Sequence, residues 1–468
     1  MSTRENSIRP SSSCQQLHPT HLIYRITGAA AQARIVPLLQ ERAEVHWIAG
    51  RCQNACNQAD PPVPLDFVWE THVARRDKPL HDCARVLNRL SNTVILENKA
   101  YFSHILALVS SQNQDIPVLE TAVVRAMDAQ AWLDARRRQL RTVQNANYTV
   151  FTDCTEDAEE WWILKAAGAN GGGDVHVLPP ACTHVPACIA LRPLDSYVVQ
   201  RYITRPLLLE KKYKFHYRVY ALLRMTGVEE TGRTSVDREA RRARFQPWIY
   251  QHGFILRASE RYHHATKCGS ANEIDAAAHL TNLSLNKHCP GYPGQLPIDL
   301  ARAPRTFGCM KAHWAAVVRA AAPFLRAQAS SGHFELFGLD YLPVEAACAP
   351  EDMMHLDKFD SMYLMEINRL PGLQSSRQNS ADEDELYDCM IRELLDLCVM
   401  PFLSGTGAKN DHESKQGGWS EVVIKDVDEN MFVDLASPGD KEIHHNVLRW
   451  AMHMRACRNS VKTAICEK

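Results

Sequence analysis

Two apolar runs late in the chain, "FELFGLDYLPV" and "MYLMEIN", each carry a carboxylate inside what reads as a buried strand. Side chains at i and i+2 of a strand share a side, so Glu366 and Asn368 point one way and Met365 and Ile367 the other. Burying Glu366 unpaired is costly, and the fold must supply it with a cation, a partner or solvent. A pair of oxygen ligands for a hard cation such as Mg²⁺ meets that need. A half-exposed strand with two solvated polar residues meets it as well, and E-x-N alone does not separate the two.

The 468 residues suffice for two or three domains and a substantial core. Net charge is -1, so there is no bulk electrostatic case for nucleic acid or for a membrane surface. No segment is long and apolar enough to span a bilayer, and the first residues lack the apolar core of a signal peptide. Fifteen cysteines without a C-x-x-C pair favour reduced thiols in the cytosol over a disulfide framework. Along the chain we expect a flexible leader over 1–20, an N-terminal α/β region over 21–145, a central region with a Gly-rich loop over 146–212, a second sheet region over 213–405 and a polar appendage over 406–468. "HLIYRITGAAAQARIVPLLQERAEVHWIAG" reads as β-α-β, and "DEDELYDCMIRELLDLCVMPFL" as an amphipathic helix with acids in its first turn. The charged stretch "TGVEETGRTSVDREARRARFQ" reads as an insertion between strands, and a late helix is expected around "HNVLRWAMHMRAC". Interspersed strands and helices give an α/β or α+β class.

Several short stretches carry chemistry. In "LKAAGANGGGD", Lys165 ends a strand and Gly168, Gly171, Gly172 and Gly173 follow. Such glycines let backbone N–H groups wrap an anion, and they equally make a hairpin turn. The stretch is neither a P-loop nor a G-x-G-x-x-G fingerprint. In "KFHYRVY", Lys214, His216 and Arg218 project from one strand face; they repel unless an anion sits among them, or else they form a solvated face. "HLTNLSLNK" sets hydroxyls and amides beside a histidine, suited to ribose and phosphate oxygens or to helix caps. Asp340 ends an apolar strand and joins Glu366 and Asn368 as a third oxygen donor for Mg²⁺.

In this order the motifs resemble the tubulin–tyrosine ligase-like family of ATP-grasp amino-acid ligases. "WWILKAAGANGGGD" resembles that family's W-I-x-K…G-x-G loop, and "VVQRYITRPLLL" its hinge strand. "KFHYRVYAL" is similar to K-F-D-[IL]-R, "HLTN" matches in full, and "FELFGLDYL…LMEINRLPGL" is similar to F-x-x-x-G-x-D…E-x-N-x-x-P-G. "LENKAYF" resembles an upstream L-x-x-K segment, and the whole resemblance covers roughly residues 20–405. It implies an ATP-grasp fold, with ATP held between a central sheet domain (146–212) and a C-terminal one (213–405). By the same resemblance Lys165, Lys214 and Lys99 contact phosphates and the adenine side, with Gly171 and Gly173 in the loop. Gln200, Arg201, Tyr202 and Ile203 line the adenine; Arg257 meets the γ-phosphate; His279, Thr281 and Asn282 sit near ribose and phosphates. Asp340, Glu366 and Asn368 hold Mg²⁺, while Arg218 and His216 face the substrate, Arg218 on a carboxylate. The catalytic set is Arg218, Arg257 and Glu366.

The activity implied is ATP- and Mg²⁺-dependent ligation of an amino acid to a protein carboxylate through an acyl phosphate. Tyrosine is the favoured donor, ahead of glutamate and glycine. The acceptor implied is the acidic C-terminal tail of tubulin, and the location is cytoplasmic, on or near microtubules. His216 stands where the family usually has Asp, and Asn170 and Gly172 replace charged loop residues. The competing readings are an ATP-binding pseudoenzyme or binding module, and a ligase with a non-tubulin acceptor. The runs "DARRRQLR" and "REARRAR" attract acidic tails or are solvated faces, and "HHATKC" lacks the second ligand pair a zinc site needs.

Overall fold

The computed structural model describes residues 20–42, 45–49, 65–71, 84–146, 161–169, 174–180, 182, 184–230, 241–263, 275–325, 332–346, 355–369, 371–373, 380–403 and 415–424. The leader, Asn170 and Gly171 to Gly173, most of "HHATKC", the first residues of "REARRAR" and the late helix lie outside them.

Three sheets organise the chain. Strands β1 (Thr20–Ile26), β2 (Val45–Ala49), β3 (Leu65–Trp69) and β4 (Ala84–Leu87) form a parallel sheet in the order β2-β1-β3-β4. Helix α1 (Ala29–Gln40) makes the crossover between β1 and β2, which is the β-α-β start expected from sequence. Helix α2 (Lys99–Gln112) begins at Asn98, whose side chain accepts from the Ala100 amide. A second, antiparallel sheet has the order β5-β8-β6-β7, from Thr121–Arg125, Ser196–Arg201, Trp162–Ala166 and Val175–Leu178. Helix α3 (Ala129–Ala146) covers one of its faces through Leu133 and Trp132 against Trp162 and Leu164.

The third sheet has the order β14-β13-β10-β11-β16-β15, with β9 (Leu208–Leu209) on β10 and β12 (Leu296–Asp299) on β11. Its long members are β10 (Tyr213–Glu230), β11 (Arg241–Arg257), β13 (Phe334–Glu345) and β14 (Phe359–Asn368). The charged stretch read as an insertion is partly strand: Glu229 and Glu230 stand in register with Arg242 and Arg241. Strands β15 (Lys415–Gln416) and β16 (Trp419–Glu421) extend the sheet beyond β11, and Trp419 is fully buried.

Alternation divides this sheet into two faces. On one, Tyr217, Val219, Ala221, Phe337, Leu339 and Ile367 pack with α2 and with α5 (Pro304–Ala321), whose Met310, Trp314 and Val318 face them; α4 (Ala187–Ala190) belongs to the second sheet region. On the other, Tyr220, Leu222, Trp248, Phe334 and Leu336 pack with the parallel sheet, α1 and α6 (Ala381–Cys398). The acidic first turn expected from sequence is present, and Ser380 and Glu383 close a capping box there. Further along that second face the apolar side chains stop, and Lys214, His216, Arg218, Asp340 and Glu366 take their place.

Candidate functional site

The acidic strands owe their aim to an irregularity. Asp340 pairs with Glu366 and the next residue, Tyr341, pairs with Leu364, so Met365 is an extra residue in β14. A bulge of this kind re-aims the side chains beyond it. Met362 and Leu364 face the core before it and Ile367 after it, which sends Glu366 and Asn368 to the Asp340 side. The Asn368 amide nitrogen lies 3.2 Å from Asp340 Oδ2 and 3.4 Å from Glu366 Oε1, so one amide spans both carboxylates. Turned about its last bond, the same amide offers an oxygen instead.

Asp340 also grips Arg218. The Arg218 Nε donates to Oδ1 and its terminal nitrogen to Oδ2 at 2.8 Å. Burial alone would raise the Asp340 pKa, yet Arg218 and His216 hold it below the usual carboxylate range. Burial pulls the Arg218 pKa the other way, but Asp340 outweighs it and raises the guanidinium above its ordinary value. Two of the three guanidinium nitrogens are thus engaged, and the third carries two further N–H donors. His216 bonds Thr281 Oγ1 through Nδ1 at 2.6 Å and sets Nε2 3.7 Å from Asp340. Burial pushes its pKa down to about 4, against the pull of Asp340 and with the help of Arg218 and Lys214. His216 is therefore a neutral imidazole at physiological pH.

Facing the acids is a set of lysines drawn from three elements. Lys99, at the start of α2, donates to the Ala169 carbonyl at 2.6 Å and stands 3.6 Å from Glu366. Lys165, on β6, donates to Gln200 Oε1 at 2.9 Å, and Gln200 is fixed in turn by Thr121. Lys214, on β10, donates to the Tyr202 phenol at 2.8 Å and lies 4.1 Å above its ring. Loss of hydration lowers Lys165 to about 8, with Lys99 adding and Glu366 and Asp340 opposing. The same cause, with Lys165 beside it, lowers Lys214 to about 7. Buried ammonium groups held by an amide and a phenol instead of a carboxylate suit an incoming anion.

The remaining expected residues divide. The Tyr202 hydroxyl reaches His279 Nδ1 at 2.7 Å, making a Lys214–Tyr202–His279 chain that the sequence did not announce. Arg201 instead lies over Trp162, on the α3 side of its sheet. Ile203 follows half-buried, and Asn282 stands at the start of the short helix Leu283–Asn286. Arg257 stacks 4.0 Å from the Tyr213 ring and donates to Ala258 O; neither contact joins it to the acids. Gly171 and Gly173 lie outside the described residues.

Glu335 was missed. It is fully buried on the opposite face of β13, where it takes Arg89 at 3.2 Å, Arg369 at 2.9 Å, Thr93 at 2.6 Å and the Leu90 amide at 3.1 Å. Arg369 directly follows Asn368, so this knot fastens the end of the strand that presents the site. Its only trace in the sequence is a Glu inside an apolar run.

Residues 79–229 match the Tubulin-tyrosine ligase family. The match covers about a third of the chain and marks a similarity to that family. Lys99, Lys165, Gln200, Lys214, His216 and Arg218 fall inside it; Asp340, Glu366 and Asn368 fall outside it. Two curated relatives are similar: the "Probable tubulin polyglutamylase TTLL9" of Bos taurus, 26% identical over 44% of this chain and 40% of its own length, and the "Probable beta-tubulin polyglutamylase" of Tetrahymena thermophila, 31% identical over 22% and 7%. The chain thus spans less than half the length of either. Among solved structures, the C-terminal domain of K. lactis Pby1, described as "an ATP-grasp enzyme interacting with the mRNA decapping enzyme Dcp2", superposes with a TM-score of 0.52 at 17% identity, over 86% of this chain and 99% of that one. The fold is ATP-grasp, as the family resemblance implied. Among the described residues no helix is long and apolar enough to cross a membrane.

Proposed function

We propose that the chain is an ATP- and Mg²⁺-dependent carboxylate–amine ligase that adds glutamate to an acidic protein tail, with tubulin as the acceptor and the cytoplasm as its place. The observation that carries this reading is that Lys99 stands 3.6 Å from Glu366 at the Asp340–Glu366–Asn368 cluster, with Lys165, from a second sheet, under the field of both carboxylates. The donor set fits a hard cation, since two carboxylates and an amide converge within the span of one side chain. Bound there, Mg²⁺ supplies charge neutralisation for the transferring phosphoryl group. Glutamate replaces tyrosine as the favoured donor because both relatives carry polyglutamylase names.

In the proposed reaction an acceptor carboxylate oxygen attacks the γ-phosphorus of ATP, the bond to the bridging oxygen breaks, and ADP departs. The amine of the incoming amino acid then attacks the acyl carbon, phosphate leaves with the C–O electron pair, and the nitrogen loses a proton. Lys165 and Lys214 position the polyphosphate, and the third nitrogen of Arg218 holds the acceptor carboxylate. Neutral His216 orients through Thr281 without adding charge. Such chemistry asks the protein for positioning and electrostatic stabilisation rather than a covalent group.

A second reading rests on Arg218 being engaged by Asp340, as in a protein that binds ATP without transferring it. Incubating the protein with ATP, Mg²⁺, tubulin and labelled Glu, Tyr or Gly separates the readings. Glutamate incorporation that falls at least about a hundredfold in Glu366→Gln supports the ligase. Incorporation of tyrosine instead corrects the donor, and nucleotide binding without any incorporation moves the case to the second reading.

A further inference from the structure

Away from the lysines and acids, the second sheet brings together three side chains of different chemistry. Asp174 and His176 sit at the start of β7, and Cys188 on the four-residue helix α4 approaches them. One ligand atom from each lies within 4.8 Å of the others. His176 Nε2 stands 2.9 Å from Asp174 Oδ1 and 3.7 Å from Cys188 Sγ. Tetrahedral zinc with ordinary bond lengths sets its N–O and N–S ligand edges at about 3.4 and about 3.6 Å, so small side-chain shifts admit the ion.

The carboxylate is prepared for it. Buried Tyr197 donates to Asp174 Oδ2 at 2.7 Å and Arg192 reaches the same oxygen at 3.6 Å. Oδ1 is thereby left facing His176, as outer-shell donors aim ligands elsewhere. A thiolate, an imidazole and one carboxylate select a borderline ion such as Zn²⁺ over Mg²⁺. We propose that Asp174, His176 and Cys188 form a Zn²⁺ site with its fourth position open to water. The Asp174 carbonyl accepts from the Ala166 amide and so closes the β6–β7 hairpin. A bound ion would clamp this hairpin to α4.

The test uses the full chain, stripped of metal and kept reduced, titrated with Co²⁺ as an optical stand-in. The wild type should show a thiolate-to-cobalt charge-transfer band saturating at one equivalent, discharged by Zn²⁺ and resistant to excess Mg²⁺. Cys188→Ser should lose the band; Cys188 is exposed, so this exchange leaves the fold intact. Tyr197→Phe should weaken Co²⁺ roughly tenfold by releasing the carboxylate. Absence of the band in the wild type overturns the proposal. So does a band that Cys188→Ser leaves unchanged, because the metal would then belong to another of the fifteen cysteines.

Discussion

Lys214 rests against a phenol where a buried ammonium group usually has a carboxylate, and its behaviour with pH follows from that. Its pKa of about 7 means that the free protein holds it partly neutral at pH 7.5, while a bound polyphosphate favours the charged form. Nucleotide binding should therefore take up protons near neutrality and weaken as pH rises above about 7. Calorimetry in buffers of differing ionisation enthalpy checks this, and Lys214→Met should abolish most of the uptake. The lowered pKa also costs stability: nothing above the unfolded value of about 10.4, more as pH falls toward about 7, and a constant amount below. Lys214→Met should accordingly raise the midpoint of thermal unfolding more at pH 7 than at pH 10. Gly338 makes a different point. A Cβ there would lie 3.1 Å from both Arg218 Cδ and Pro371 Cβ, tighter than ordinary contact. Gly338→Val should push Arg218 from Asp340 and lower ligation at least about tenfold with little change in ATP affinity, by analogy with other misplaced positioning groups.

At the scale of elements, the site depends on a single extra residue in β14. Deleting Met365 restores strict alternation, so either Glu366 and Asn368 or Met362 and Leu364 must change sides. Each alternative is costly, and chemical unfolding should report a loss of about 3 kcal/mol or more. The identities of the acids were plain in "FGLDYL" and "MEIN", because a carboxylate in an apolar strand demands an explanation. Their common aim was also inferred, from i and i+2 spacing. The bulge was not: a three-residue step from Leu364 to Ile367 looks, in isolation, like an imperfect alternation. Glu335 stayed hidden for a related reason. Its partners Arg89 and Thr93 are more than 240 residues away, and local pattern carries no record of such pairing. The lysines were each legible as candidates, whereas the phenol that holds Lys214 and the imidazole behind that phenol come from separate segments and needed the fold to meet.

For the whole molecule, the question is what keeps the parallel sheet and the large sheet in one arrangement behind the lysines and acids. The parallel sheet and the large sheet share a core in which Trp69 packs on Phe334, with ring centroids 6.0 Å apart, and α1 is tied to α6 by Arg34 to Asp384 at 2.7 Å. The far edge of that core is closed by a segment the sequence presents as polar. Trp419 stacks 5.0 Å from Tyr250 and its indole N–H reaches the Met390 carbonyl, while Gly417 adopts φ +59 beside Glu393. Composition conceals this because only Trp419 and Val422 supply the buried apolar anchoring, amid polar neighbours such as Glu421, which accepts from Gln246. Trp419→Ala should cost about 3–5 kcal/mol, the usual range for emptying a buried aromatic site. The indole touches none of the lysines or acids, so the loss should appear as a lower unfolding midpoint in urea with an unchanged slope. Nucleotide affinity, measured well below that midpoint, should stay near the wild-type value. A large fall in affinity with unaltered stability would instead show that the β11–β16 edge communicates with the lysines and acids, through the strand that ends at Arg257.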